Sequence, residues 1–111
     1  MRIRTTPETI KKVEKIIRTA LEERFRDDFV FDPIIVEPWF DIIDGDEYLH
    51  IYIVYDGDRK NLDPGWTGGL SSIILDQTTE DEVFTNPVKG FVEKSEWEEM
   101  YGDGYPGRRF P

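Results

Sequence analysis

Residues 34–55 are two runs of alternating apolar and polar side chains separated by Asp44-Gly45. A period of two is the mark of a strand with one buried face, and Asp-Gly between two such runs is the strongest short hairpin signal. With Asp44-Gly45 as a two-residue type I′ turn, paired residues have numbers that sum to 89. Ile34, Val36, Pro38, Phe40 and Ile42 then share a face with Tyr55, Ile53, Ile51, Leu49 and Glu47. Only Glu47 is polar there, and a one-residue slip would send the whole set to the opposite side. Pro38 donates no ladder bond, which places its strand at an edge or at a bulge.

The other face of the hairpin reads Ile35, Glu37, Trp39 and Asp41 against Val54, Tyr52, His50 and Tyr48. Its aromatic rings have polar tips and its ends carry acids, a composition that suits either a half-covered face or a platform for a partner. The expected partner-binding set is Glu37, Trp39, Asp41, Asp46, Tyr48, His50 and Tyr52. Trp39, Tyr48 and Tyr52 form the desolvated centre, while Glu37, Asp41 and Asp46 are placed to pair with Lys or Arg.

Helical signals flank the hairpin. Thr6-Pro7-Glu8 supplies a cap, a first-turn proline and an acid at the positive end of the dipole. Ile10, Val13, Ile16, Ile17, Ala20, Leu21 and Phe25 then follow the 3-4-7 spacing of a buried stripe. Glu8–Lys12, Glu14–Arg18 and Glu22–Arg26 stand four apart in the favourable order, so its cations are expected on a solvated face. Asp27-Asp28 end the helix. Asp63-Pro64 opens a second helix carrying Trp66, Leu70, Ile73 and Ile74 on one side, with a strand over 72–76 as the competing reading. Gly65, Gly68 and Gly69 weaken that helix. An extended segment follows Asn86-Pro87, and Ser95-Glu96-Trp97-Glu98 has the spacing of a capping box opening a short closing helix through Tyr101.

The result is an α+β chain, a two-layer sandwich of order α-β-β-α-β-α with helices on one sheet face. One domain spans 1–101, and 102–111, with three glycines and two prolines, is expected to be an irregular tail. In topology, through its hairpin and the closing Ser95-Glu96-Trp97, the order resembles the KH type II and BolA-like architectures. The chain departs from both: it lacks the BolA histidine near the last strand, and its Gly65-Trp66-Thr67-Gly68 lacks the basic residues of a nucleic-acid clamp.

Charge narrows the function classes. The net charge is −10, but residues 1–26 hold eight basic against four acidic residues, while residues 27–58 hold ten acids and no Lys or Arg. Such a surface repels nucleic-acid phosphates and speeds encounter with basic proteins. With no cysteine and a single histidine, His50, thiolate zinc sites, disulfides and cysteine nucleophiles are excluded, and a zinc centre lacks ligands. No apolar run reaches the roughly 20 residues of a membrane span and the start does not read as a signal peptide, so a cytoplasmic location is the default expectation.

Catalytic constellations fare no better. Asp56-x-Asp58-x-Lys60-Asn61 departs from a calcium loop at Lys60, Asn61 and Thr67. Asp44-Gly45-Asp46 and Asp56-Gly57-Asp58 sit at opposite ends of one strand, roughly 33 Å apart, too far to share an ion. Glu37 and Asp41 share a face but stand roughly 13 Å apart, beyond the separation of hydrolytic carboxylate pairs. Serine chemistry would require His50 with Ser71, Ser72 or Ser95, and no nucleophile elbow or phosphate loop occurs. No catalytic residue, metal or cofactor is assigned. The expectation is a non-catalytic acidic interaction protein, antitoxin-, immunity- or inhibitor-like, binding a basic protein through the aromatic face. The competing readings are a small enzyme or ligand-binding domain with its site near the glycine-rich segment 65–69, and a homodimer through the same face or a sheet edge.

Overall fold

The computed structural model describes residues 3–102. The chain runs α1 (Pro7–Phe25), β1 (Val30–Phe40), β2 (Glu47–Asp56), α2 (Pro64–Gly68), α3 (Leu70–Asp76), β3 (Val88–Glu93) and α4 (Lys94–Tyr101). This is the expected α+β order, with the second helix broken into α2 and α3 at Gly69. Residues 103–111 of the expected tail lie outside the described residues.

Helix α1 begins where its cap dictates, the Thr6 hydroxyl accepting the Thr9 N–H at 3.2 Å. Its stripe of Val13, Ile16, Ile17, Leu21 and Phe25 is buried. Three of its cations act differently from the expectation. Lys12 Nζ donates to both oxygens of Glu82 at 2.9 Å, Arg18 donates to the Phe31 carbonyl, and Arg24 donates to Asp63 at 3.0 Å. An exposed pair four residues apart contributes only ~0.2–0.5 kcal/mol, too little to hold a long side chain when an acceptor from another segment lies within reach.

Three strands form a sheet in the order β1-β2-β3, with β1 antiparallel and β3 parallel to the central β2. Strand β1 is thus an edge, which accommodates Pro38, and its pairing shifts between Phe31 and Ile34, where Pro33 lies. It also starts at Val30, four residues before the expected hairpin limit. The register needs correction. Ile34 pairs with Ile53, Val36 with Ile51 and Trp39 with Tyr48, so partner numbers sum to 87 rather than 89. Asp44-Gly45 is not a two-residue turn. Residues 42–45 form a four-residue loop, in which Asp41 N–H donates to the Asp46 carbonyl and Gly45 N–H to the Asp41 carbonyl, both at 2.9 Å. The Asp41 carboxylate causes this by accepting the Ile43 and Asp44 N–H groups at 2.8 and 3.4 Å, turning the chain early. Gly45, at φ 74°, closes the loop in the left-handed region. A shift of two preserves which face each side chain takes, so Ile42 alone loses its expected core position and stands 95% exposed.

The main core lies between the helices α1 and α3 and the sheet face of Ile34, Val36, Leu49, Ile51 and Ile53. Glu47 is buried on that face as well, and its carboxylate accepts the N–H groups of Arg4 and Thr5 at 2.6 and 2.9 Å and the Thr5 hydroxyl. The acid thus anchors the segment that leads into α1. Arg4 then rests over the Phe84 ring at 4.1 Å.

Helices on one face describes α1, α2 and α3. Strand β3 runs directly into α4, which lies across the opposite face: Trp97 is buried and its ring stands 5.4 Å from Tyr52. Val54, fully buried, and Trp97 are not part of the main core. The Ser95 capping box is not made. Glu93 is the N-cap, and the Ser95 hydroxyl donates to the Glu93 carboxylate at 3.1 Å.

Candidate functional site

The seven residues expected on the outer hairpin face come from consecutive cross-strand pairs. Glu37 lies opposite His50, Trp39 opposite Tyr48 and Ile35 opposite Tyr52, while Asp41 and Asp46 meet at the mouth of the loop. Trp39 leans past its direct partner to the diagonal one, stacking on His50 with centroids 3.8 Å apart and planes 10° from parallel. The expected Trp39–His50 contact therefore forms despite the changed register. Glu37 accepts the Trp39 indole N–H at 2.8 Å, which restrains the ring.

The rings continue as a ladder. Tyr48 stands 6.4 Å from Trp39, Tyr52 4.6 Å from His50, Trp97 5.4 Å from Tyr52 and Tyr101 4.4 Å from Trp97. Helix α4 covers the Tyr52 end. Towards the loop the ladder opens: Trp39, Tyr48 and His50 are half-buried, and Val88, beside His50 on β3, is 49% exposed. Gly90, beside Tyr52, adds no side chain, and a Cβ there would meet nothing within 4 Å. The open surface is thus a shallow aromatic floor bounded by α4 at one end and by Asp41 and Asp46 at the other.

Beyond those two acids stands the loop tip, whose exposure sequence reasoning missed. Ile42 and Ile43 are 95% and 96% exposed. The signal was present, because two adjacent isoleucines break the alternation and cannot both face the core. The tip is held from below: besides the Asp41 bonds, Asp44 accepts the Asp46 N–H at 3.0 Å. Each of these carboxylates commits one oxygen to the loop while its charge remains beside the isoleucines.

The remaining candidates have local duties. Asp56 ends β2, Gly57 passes close under the Phe29 ring, and Asp58 accepts the Lys60 N–H at 3.0 Å to open a short 3-10 turn over Arg59–Asn61. Ser71 accepts a hydrogen bond from Lys89 at 2.9 Å on the main-core side of the sheet, across from His50. Among the described residues no group of three or more His, Asp or Glu converges to hold a metal, and no helix is long and apolar enough to cross a membrane. The glycine-rich segment forms α2 and its turn into α3, and Trp66, edge-on to Phe25 at 5.3 Å, lines a space against α1 rather than one above the sheet. Comparison with protein families, with curated proteins and with solved structures found no match to this chain.

Proposed function

We propose that this chain is a non-catalytic interaction protein that binds a basic protein partner through the outer face of the hairpin and its tip. The observation that carries the reading is the open aromatic floor of Trp39, Tyr48 and His50, which ends in Asp41 and Asp46 and continues into two fully exposed isoleucines. Large exposed apolar groups rimmed by one sign of charge are the composition of a docking surface. A stacked Trp that is already immobilised loses little conformational freedom on binding. In this reading the acids of residues 27–58 steer a basic partner, Trp39 supplies the anchor, and Ile42 and Ile43 enter an apolar socket on the partner.

The test is capture from an extract of the source cells at low and high salt, with purified wild type and variants as bait. A basic protein held at low salt, released at high salt and lost with Trp39→Ala or with Ile42→Ser/Ile43→Ser fits the reading. For a central aromatic anchor the Trp39→Ala loss is expected to reach ~2 kcal/mol or more, roughly thirtyfold in affinity. Asp41→Asn should slow association more than it speeds dissociation. Retention of the same partner by both Trp39→Ala and Asp41→Asn at low salt would remove this face from the function.

A further inference from the structure

On the far side of the molecule from the aromatic floor, α1 and the α2–α3 pair enclose a cleft of about 530 Å³. That volume lies within the usual range for small-molecule sites. The two sides run antiparallel, because Arg24, late in α1, bonds Asp63 ahead of α2, whereas Lys12, early in α1, bonds Glu82 beyond α3. These ion pairs tie α1 to the segments flanking α2 and α3 at two points roughly 18 Å apart by helical rise. Between its charged groups the lining consists of the apolar Ile16, Ala20, Trp66 and Ile73 together with the polar Thr19 and Gln77. Ala20 is the smallest of these side chains and leaves room on the α1 side.

Charge around the cleft is distributed by position. Lys12 and Arg24 are neutralised by their tethers, and Glu82 and Asp63 are held below their usual carboxylate values: Glu82 chiefly by the Lys12 ammonium, Asp63 by the Trp66 N–H and then by Arg24. Lys15 also lines the cleft and has no ion pair among the described residues. Glu23, the remaining charged group of the lining, lies eight residues further on, about 12 Å along the helix and beside the Trp66 end. The cleft therefore has one cationic end and an apolar strip of Ile16, Ala20 and Ile73, flanked by Thr19 and Gln77, leading to an indole. An anionic head is repelled from the Glu23 end and attracted to Lys15.

We infer that this cleft binds a small amphipathic carboxylate, with its head on Lys15 and its apolar chain lying over Ile16, Ala20 and Ile73 towards Trp66. This site is independent of the partner-binding face, and its failure would leave the proposed function untouched.

Decanoate is the probe and decanol its uncharged control, each titrated into the full chain and followed by amide, methyl and indole NMR shifts. Saturable one-to-one shifts centred on Trp66 and Ile73 with decanoate, and markedly weaker ones with decanol, are the expected result. Lys15→Glu should weaken decanoate at least about tenfold, as expected for loss of a charge-assisted hydrogen bond. Lys11→Glu makes the same change of net charge outside the cleft and should leave binding within about twofold, which separates a contact from the general field. The inference is overturned by an absence of saturable shifts at millimolar decanoate. Equal binding of decanol, shifts centred on Trp39, or equal effects of the Lys11 and Lys15 variants would overturn it as well.

Discussion

Glu47 offers the sharpest test of how this fold is held, because a lone carboxylate on a core face should be a liability and here is a clasp. The residue is 6% exposed and receives two backbone N–H groups and one hydroxyl from Arg4 and Thr5. Truncation by Glu47→Ala removes all three bonds. A hydrogen bond to a charged group contributes about 1.5–3 kcal/mol. Arg4 is exposed and Thr5 half-buried, so water restores part of what the two N–H groups lose. The net is close to the contribution of one such bond, ~2–3 kcal/mol. Release of the segment also gives up the Arg4–Phe84 contact at 4.1 Å, a further ~0.5–1 kcal/mol. The expected total of about 3 kcal/mol lowers Tm by roughly 12 °C in a domain of this size. Glu47→Gln keeps an acceptor but loses the charge and should cost about half as much. Urea unfolding followed by tryptophan fluorescence gives the energies, and amide exchange at Arg4 and Thr5 gives the location. A cost below about 0.5 kcal/mol for Glu47→Ala, the size of an ordinary surface change, would refute the reasoning. So would wild-type Arg4 and Thr5 amides that exchange as fast as in an unfolded chain.

Two further perturbations test other parts of the fold. Gly57 has φ 155°, and a Cβ there would stand 2.8 Å from both the Asp28 carbonyl oxygen and Phe29 Cε1; Gly57→Ala should therefore cost ~2 kcal/mol or more in urea unfolding, and a neutral result would mean that Phe29 yields freely. Asp63 and Glu82 have folded pKa values depressed from 3.8 and 4.5, so the stability they confer is present above those values and is lost as pH falls through the lower folded ones. Thermal scans in acid should show a steepening loss, and Asp63→Asn with Glu82→Gln should flatten it; an unchanged acid limb would show that the two tethers do not contribute.

Much was settled locally. A period of two, read from the side chains of residues 34–55 alone, assigns each residue to a face, and that assignment survives a change of register because two residues is a full period. Thr6 and Asp63 mark helix starts because a short side-chain acceptor satisfies the N–H groups of the adjacent turn, an interaction within a few residues of chain. The outer-face set of Glu37, Trp39, Asp41, Asp46, Tyr48, His50 and Tyr52 was legible for the same reason.

What only the tertiary structure decided depends on partners distant in the chain. The loop is the exception, because it was decided locally: the Asp41 carboxylate, two residues from the Ile43 N–H it accepts, competes with the Asp-Gly turn signal and raises Ile42 and Ile43 into solvent. Glu47 finds its donors more than 40 residues away, and Lys12 its acceptor 70 residues away. The side of the sheet that α4 takes depends on Trp97 meeting Tyr52, 45 residues earlier in the chain, and the two come together when β3 docks parallel to β2. Local pattern determines which way a side chain points, because backbone geometry repeats. What it meets there depends on the packing of the rest of the chain.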